Sequence, residues 1–462
     1  MGEIDEAVQY DATFSTNVTG ALRVAAVFVS DDADTATWTG GGDGVSFLDA
    51  ANWSTGKVPG PKSDVVIGSD AAVTSSVGLV FNLKSLSVAS GASLVILPEG
   101  SYATTSWDPR LYPESVSLYD WHDCGVVASG DITVAGTLVV GRRDSAADAK
   151  AVAGGALTIS EGASVTVSGG YRLDLTASGA KGTPALWRVP SALVSAGGAM
   201  TVGGTLAIYG ERLSGSPCKV AAGTLAVGAT GVLHSNGGGW GRSSIGGVNV
   251  YYSYNDMGDS YNGGAYGGFG GGYSLAPASV TQYGNLNTYG EALRPYLPGS
   301  QGGNNTSALG GGTLRIEVAG TLRNGGTISA NGKNVGYSTG GGAGGAVWIS
   351  CSKFTNEDGA ALFAKGGNNS GNGGSGGGGR ILVCEKLAAA ELDALYATGV
   401  VPSKVTATEI TDANRAEFSA GAISADGGTN GNYSASYPCW SGTAGSIWWL
   451  RGRGLGTFIM VR

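Results

Sequence analysis

Short alternating strands return along this chain at fixed intervals. The segments "ITVAGTLVV" (Ile132 to Val140) and "LTISEGASVTV" (Leu157 to Val167) begin 25 residues apart, as do "MTVGGTLAI" (Met200 to Ile208) and "LAVGATGVL" (Leu225 to Leu233). Apolar residues alternate with Thr, Ser or Ala, the period-2 pattern of a strand with one buried face. A glycine sits at each corner. A second unit follows: "GGGTLRI", "GGAVWI", "GGRILV" and "GSIWWL" place Leu314, Val347, Ile381 and Ile447 at intervals of 33, 34 and 66 residues. Between them lie "TISANG" (Thr327 to Gly332), "ALFAKG" (Ala361 to Gly366) and "AISADG" (Ala422 to Gly427). The doubled interval holds "EKLAAAELDALYATG" (Glu385 to Gly399), an expected helix closed by Gly399 and Pro402.

Units of this size cannot bury their faces alone and stack into a solenoid. The expected fold is therefore all-β: a right-handed parallel β-helix with glycine-rich loops on one face and a short helical insertion near 386–398. A dozen or more coils at roughly 4.8 Å each give a rod on the order of 60 Å. The chain divides into a strand or capping segment (1–36), an opening module (37–100), a polar loop insertion (101–125), regular coils (126–236), a Gly/Tyr-rich loop region (237–300) and glycine-rich repeats (301–462) that carry a helical insertion at 385–415.

Glycine makes up 84 of 462 residues, about 18% against a usual ~7%. With 42% hydrophobic residues the chain can still bury a large core, so disorder throughout is excluded. The glycine tracts recur at one phase of the repeat, which a flexible linker does not do. They are expected to be ordered loops in which backbones approach closely, some as extended polyglycine segments lying against each other. "YNGGAYGGFGGGY" (Tyr261 to Tyr273) belongs to this region, and residues 237–296 hold nine of the 19 tyrosines. Flat aromatic rings with polar tips suit a contact surface. Trp240, Tyr251, Tyr254, Tyr261, Tyr266, Phe269 and Tyr273 are therefore the candidate ligand-contacting residues, with a glycan or another surface polymer as partner; the competing role is to cover backbone that glycine leaves bare.

Only 13% of residues are charged and the net charge is −8, with no basic run, which argues against nucleic-acid binding. No stretch is long and apolar enough to span a membrane. Five dispersed cysteines (Cys124, Cys218, Cys351, Cys384, Cys439) and two histidines exclude a zinc ribbon and a disulfide-dense scaffold; the cysteines read as small buried hydrophobes. No cofactor or metal site is expected. "SWDPRLYPESVSLYDWHDCG" (Ser106 to Gly125) is the densest polar stretch, with Asp108, Arg110, Glu114, Asp120, His122 and Asp123, and it reads as a polar loop. His234 reads as a loop residue after a strand. Asp256 and Asp259 in "NDMGDS" lack the carboxylate spacing of an EF-hand.

"TWTGGGDGVSFLDAANWSTGKVPGPKSDVVIG" (Thr37 to Gly68) resembles the opening module of bacterial surface proteins with autotransporter-passenger-like, pectin-lyase-like β-helices. The matching residues are Trp38, Ala51-Asn52-Trp53, Pro59 and Asp64 before Val65-Val66-Ile67. The later "GGGAGGAVWI…GGGGRILV" is similar to glycine-rich repeats of large secreted bacterial proteins. This resemblance implies an extracellular or surface-attached β-helix, with any export signal removed upstream of this numbering, and it brings no catalytic residues. The polygalacturonase-type motifs are missing except for Asp31-Asp32, which precedes the repeats. The sequence thus leans towards a non-enzymatic adhesin or surface scaffold. Two alternatives stand: a polysaccharide lyase or hydrolase, marked by a charged cluster on adjacent coils, and a rod that self-associates end to end, for which "GTFIMVR" (Gly456 to Arg462) is the strand-like terminus.

Overall fold

The computed structural model describes residues 29–98, 123–143, 148–170, 190–210, 217–239, 262–272, 288–303, 308–336, 339–431 and 439–452, with the backbone of short strands at 243–245, 248–250 and 283–285. The protein is all-β and predominantly parallel, and its strands stack into three ladders. The chain visits the ladders in the same order on successive circuits, and the inward residue of each rung sits directly on that of the rung before.

In the first ladder the buried column runs Val126, Ala151, Val194, Val220, Ile316, Ile349, Val383 and Trp449. The second runs Leu86, Ile132, Leu157, Met200, Leu225, Leu322 and Phe354. The third runs Val73, Leu94, Leu138, Val165, Leu206, Leu233, Ile328, Leu362 and Ile423. These columns form one continuous core. Each such side chain is worth about 1.5–3 kcal/mol of burial, and the period-2 alternation sets register because a one-residue slip would turn every inward residue outward. Both sequence repeats are thus stacked neighbours: Ile132 on Leu157, Met200 on Leu225, and Leu314, Val347, Ile381 and Ile447 in one row.

The described stack is shorter than the dozen or more coils expected. Among the described residues the third ladder has nine strands, about 40 Å at ~4.8 Å per rung. The difference lies in the connections. Long excursions leave the end of a third-ladder strand before the next first-ladder strand, as between His234 and Thr313. The 66-residue interval has another cause. Ile381 pairs directly with Ile447, so no rung is missing. A helix (Ala389–Thr398), a strand (Val405–Glu409) and a short helix (Arg415–Phe418) instead fill the stretch that a second-ladder strand would occupy. The strand Val405–Glu409 runs antiparallel along the last first-ladder strand and covers its edge. The strand Cys124–Ala128 begins inside the stretch read as a polar insertion.

The glycine tracts form a hydrogen-bonded array. Gly341 N–H donates to Gly374 O, Gly344 to Gly377 and Gly311 to Ala343; Gly264 donates to Gly341, and Gly377 in turn to Gly264. These glycines are not needed for positive φ. They are needed for space: a Cβ on Gly263 would lie 1.9 Å from Ser375 O, on Gly376 1.9 Å from Gly342 O, and on Gly271 1.9 Å from Trp440 O. The α-hydrogen aimed at a neighbouring carbonyl makes a Cα–H···O contact instead. The "GGAYGGFGG" stretch is therefore ordered backbone that only glycine can pack.

Candidate ligand groove

The outward residues of the first ladder also form columns. Lys219 stacks on Arg315, then Trp348, Leu382 and Trp448; beside them run Ala221, Glu317, Ser350, Cys384 and Leu450. The later rungs are apolar, and the helix Ala389–Thr398 covers them, packing Leu395 and Tyr396 against Trp348, Leu382, Cys384 and Leu450. Trp348 and Tyr396 rings lie 4.5 Å apart. The helix starts where Glu391 accepts from Ala388 N–H at 2.8 Å and stops at Gly399 in the left-handed conformation. Its C-terminal carbonyls, of Tyr396 and Ala397, accept from the Arg294 guanidinium.

The helix does not reach the earlier rungs. There its edge and the ladder enclose a groove of about 700 Å³. The floor is built from residues on successive rungs, Ala196-Gly197, Ala221 to Gly223, Val318-Ala319 and Ser350 to Ser352, most of them small. Leu392, Asp393 and Tyr396 of the helix line it, with Lys386 at the exit of the strand Arg380–Glu385. Lys386 has φ 57°, a left-handed backbone unusual for a residue with a side chain. Glu317 is the most engaged polar group: it pairs with Lys219 at 2.5 Å and with Arg315. The Arg315 guanidinium also lies 4.7 Å over the Tyr396 ring. Burial disfavours the Glu317 carboxylate, but Arg315 and Lys219 outweigh burial and hold its pKa below the usual value. Burial pushes the Tyr396 phenol up, so it stays protonated as a donor. The groove presents fixed donors and acceptors rather than an acid with a raised pKa.

Of the candidate residues in the Gly/Tyr region, Tyr266 and Phe269 are among the described residues. Tyr266 is fully buried against Leu297, Ala343 and Ala346, with Tyr289 at 5.0 Å and the Arg380 guanidinium at 5.3 Å. This corrects the expectation for that residue: its ring covers glycine backbone and stays out of reach of a ligand. Phe269 is half-buried, and its N–H donates to Thr443 Oγ1 at 2.7 Å within the glycine array. Trp240, Tyr251, Tyr254, Tyr261 and Tyr273 lie outside the described residues, as do Asp108, Arg110, Glu114, Asp120, His122, Asp256, Asp259 and the "GTFIMVR" terminus. Asp123 pairs with Lys150 at 3.1 Å. Asp31 and Asp32 pair with Lys62 and Lys57. His234 is half-buried beside Tyr209. The five cysteines are buried.

The opening motif has a structural role. Asn52 is fully buried; its Oδ1 accepts from Gly42 and Gly44 N–H at 2.9 and 3.0 Å, and its Nδ2 donates to Asp43 Oδ1 at 2.7 Å. Trp53 Nε1 donates to Phe47 O at 2.8 Å, with the Trp38 ring edge-on at 5.0 Å. The groove residues escaped sequence reading, although "TLRIEV" carries its two charges at alternate positions that must face the same way. Among the described residues no group of His, Cys, Asp or Glu is arranged to hold a metal ion, and no helix is long and apolar enough to cross a membrane. Comparison with protein-family models, curated proteins and solved structures gives no match.

Proposed function

We propose that this chain is a right-handed parallel β-helix of the extracellular or cell-surface kind, a non-enzymatic adhesin or surface scaffold, and that the groove beside the helix Ala389–Thr398 holds a segment of glycan. Three in-register parallel ladders visited in constant order support the β-helix, and parallel crossovers are right-handed in about 98% of cases. The low charge and the resemblance of the opening module support the location. The groove carries the ligand reading. Its ~700 Å³ falls in the range of small-molecule sites, roughly 300–1,000 Å³. Its small-residue floor leaves room for a sugar ring, and Arg315 and Glu317, paired with each other and Glu317 also with Lys219, offer hydrogen-bonding groups already fixed in place. Weak contacts of this kind become useful by avidity when many copies are displayed.

The test is a glycan panel probed with the purified protein and with a Lys386→Ala/Asp393→Ala variant, whose two exposed side chains border the groove. Binding that the variant loses supports the reading. Binding that survives in the variant moves the site elsewhere, and no binding leaves a scaffold.

One observation favours a second reading. Lys219, Arg315 and Glu317 lie on adjacent rungs, the kind of charged cluster a polysaccharide-cleaving enzyme would use. Incubation with acidic and neutral polysaccharides, followed by assay of new chain ends, distinguishes the two. The held ionisation of Glu317 weighs against its serving as a general acid.

A further inference from the structure

His234 closes the third-ladder strand Val232–His234, at the point where the chain leaves for the glycine array. Its Nδ1 accepts from Asn236 N–H at 3.2 Å, which fixes the neutral ring with its proton on Nε2. The turn that follows is tied down on every side. Asn236 Oδ1 accepts from Asn331 N–H at 2.6 Å, Gly237 N–H donates to Asn331 O, and Gly239 N–H donates to Gly310 O. Arg143 donates to the carbonyls of Gly237 and Gly238, both at 2.9 Å, while its guanidinium sits 5.1 Å over the Tyr209 ring. Tyr209, from the rung below, also meets the His234 ring edge-on at 6.1 Å. Lys333, from the loop above, packs against Gly237. Among the described residues the charged groups shown at the turn are Arg143 and Lys333, both cationic.

We propose that His234 is a pH-sensitive latch: its protonation detaches the Asn236–Gly239 turn from Asn331 and Gly310 and so loosens the junction between the ladders and the glycine array. An imidazolium has no acceptor on Nδ1, so the bond from Asn236 is lost and its N–H faces another donor. The added charge also stands beside Lys333. The effect of burial agrees with this geometry: it lowers the His234 pKa below the usual 6.5, with Lys333 adding to it. A base whose folded-state pKa is depressed contributes stability at pH above the unfolded value. That contribution is lost as pH falls from about 6.5 through the folded value.

Hydrogen exchange on the whole chain at about pH 7.5 and pH 5, corrected for intrinsic rates, tests the latch. Protection of the Asn236, Gly237 and Gly239 amides is expected to fall roughly tenfold or more in acid, while the Val165 and Leu206 rungs hold. In His234→Asn, which keeps a short acceptor two residues before the same N–H, the acid response of the turn should vanish. An unchanged response in that variant overturns the proposal, as does a pH-independent turn in the parent protein. A second reading needs no variant. The His234 ring should titrate below about 6.5 together with the Asn236 amide, and titration at or above that value, or without the amide, also overturns it.

Discussion

Arg294 donates from Nη1 to the carbonyl oxygen of Ala397 at 2.9 Å, across 103 positions of sequence. The same guanidinium reaches Tyr396 O at 3.2 Å and pairs with Glu291. It thus neutralises the negative end of the helix Ala389–Thr398, which has no basic residue in its own last turn. The Gly/Tyr-rich stretch and the helical insertion are therefore one packed unit, and the helix wall of the groove depends on both. Replacing Arg294, itself buried, with Ala should cost about 1.5–3 kcal/mol, the range for hydrogen bonds to a charged group. The loss should appear in urea unfolding and as faster amide exchange in the last helical turn.

The glycine array makes a sharper prediction. A Cβ on Gly376 would stand 1.9 Å from Gly342 O, and the obstacle is backbone held by its own hydrogen bonds. Gly376→Ala should destabilise by about 3 kcal/mol or more, the upper end of overpacking costs. Gly68 has negative φ and open space around its Cβ position, so Gly68→Ala should be neutral or slightly stabilising. Thermal unfolding of the two variants side by side checks the contrast.

The opening motif is predicted to act through Asn52. Asn52→Ala removes the acceptor for Gly42 and Gly44 N–H and the donor to Asp43. A loss of about 1–3 kcal/mol is expected from groups left unpaired. The signal should be local: Trp38 and Trp53 report it by fluorescence before the ladders unfold, because both rings pack on this loop.

The ladders were legible because stacking is a local rule repeated. Alternation fixes which side chains point inward, and equal spacing fixes which ones meet, so Leu314, Val347, Ile381 and Ile447 could be aligned from sequence and are one row of the structure. The helix was legible from Gly399 and the alanine-rich run before it. The groove was not. Lys219 and Glu317 are 98 residues apart, and their meeting depends on the length of the excursion between His234 and Thr313, which no periodicity encodes. Tyr266 misled for a related reason. A tyrosine among glycines reads alike whether its ring faces solvent or covers bare backbone, and only the Leu297, Ala343 and Arg380 neighbours decide.

Glu385 makes the final prediction, one that reads out in acid. It is buried at the end of its strand and accepts from Phe354 N–H at 2.8 Å, Trp449 Nε1 at 2.9 Å and the Arg451 guanidinium at 2.8 Å. It thereby satisfies an edge N–H of the second ladder at the rung where the helical insertion begins. Burial alone would raise its pKa, but these bonds outweigh burial and leave it below the usual value. A carboxyl with a depressed folded pKa stabilises the protein above the unfolded value, about 4.3, and that contribution fades as pH falls through the folded value. Glu385→Gln should therefore lower stability at pH 7 by about 1.5–3 kcal/mol, the loss of charge-assisted bonds. It should also flatten the fall in stability below about pH 4.5. Urea midpoints measured from pH 7 to pH 3 decide it: if parent and variant lose stability in parallel as the pH drops, the carboxylate is not what holds that edge.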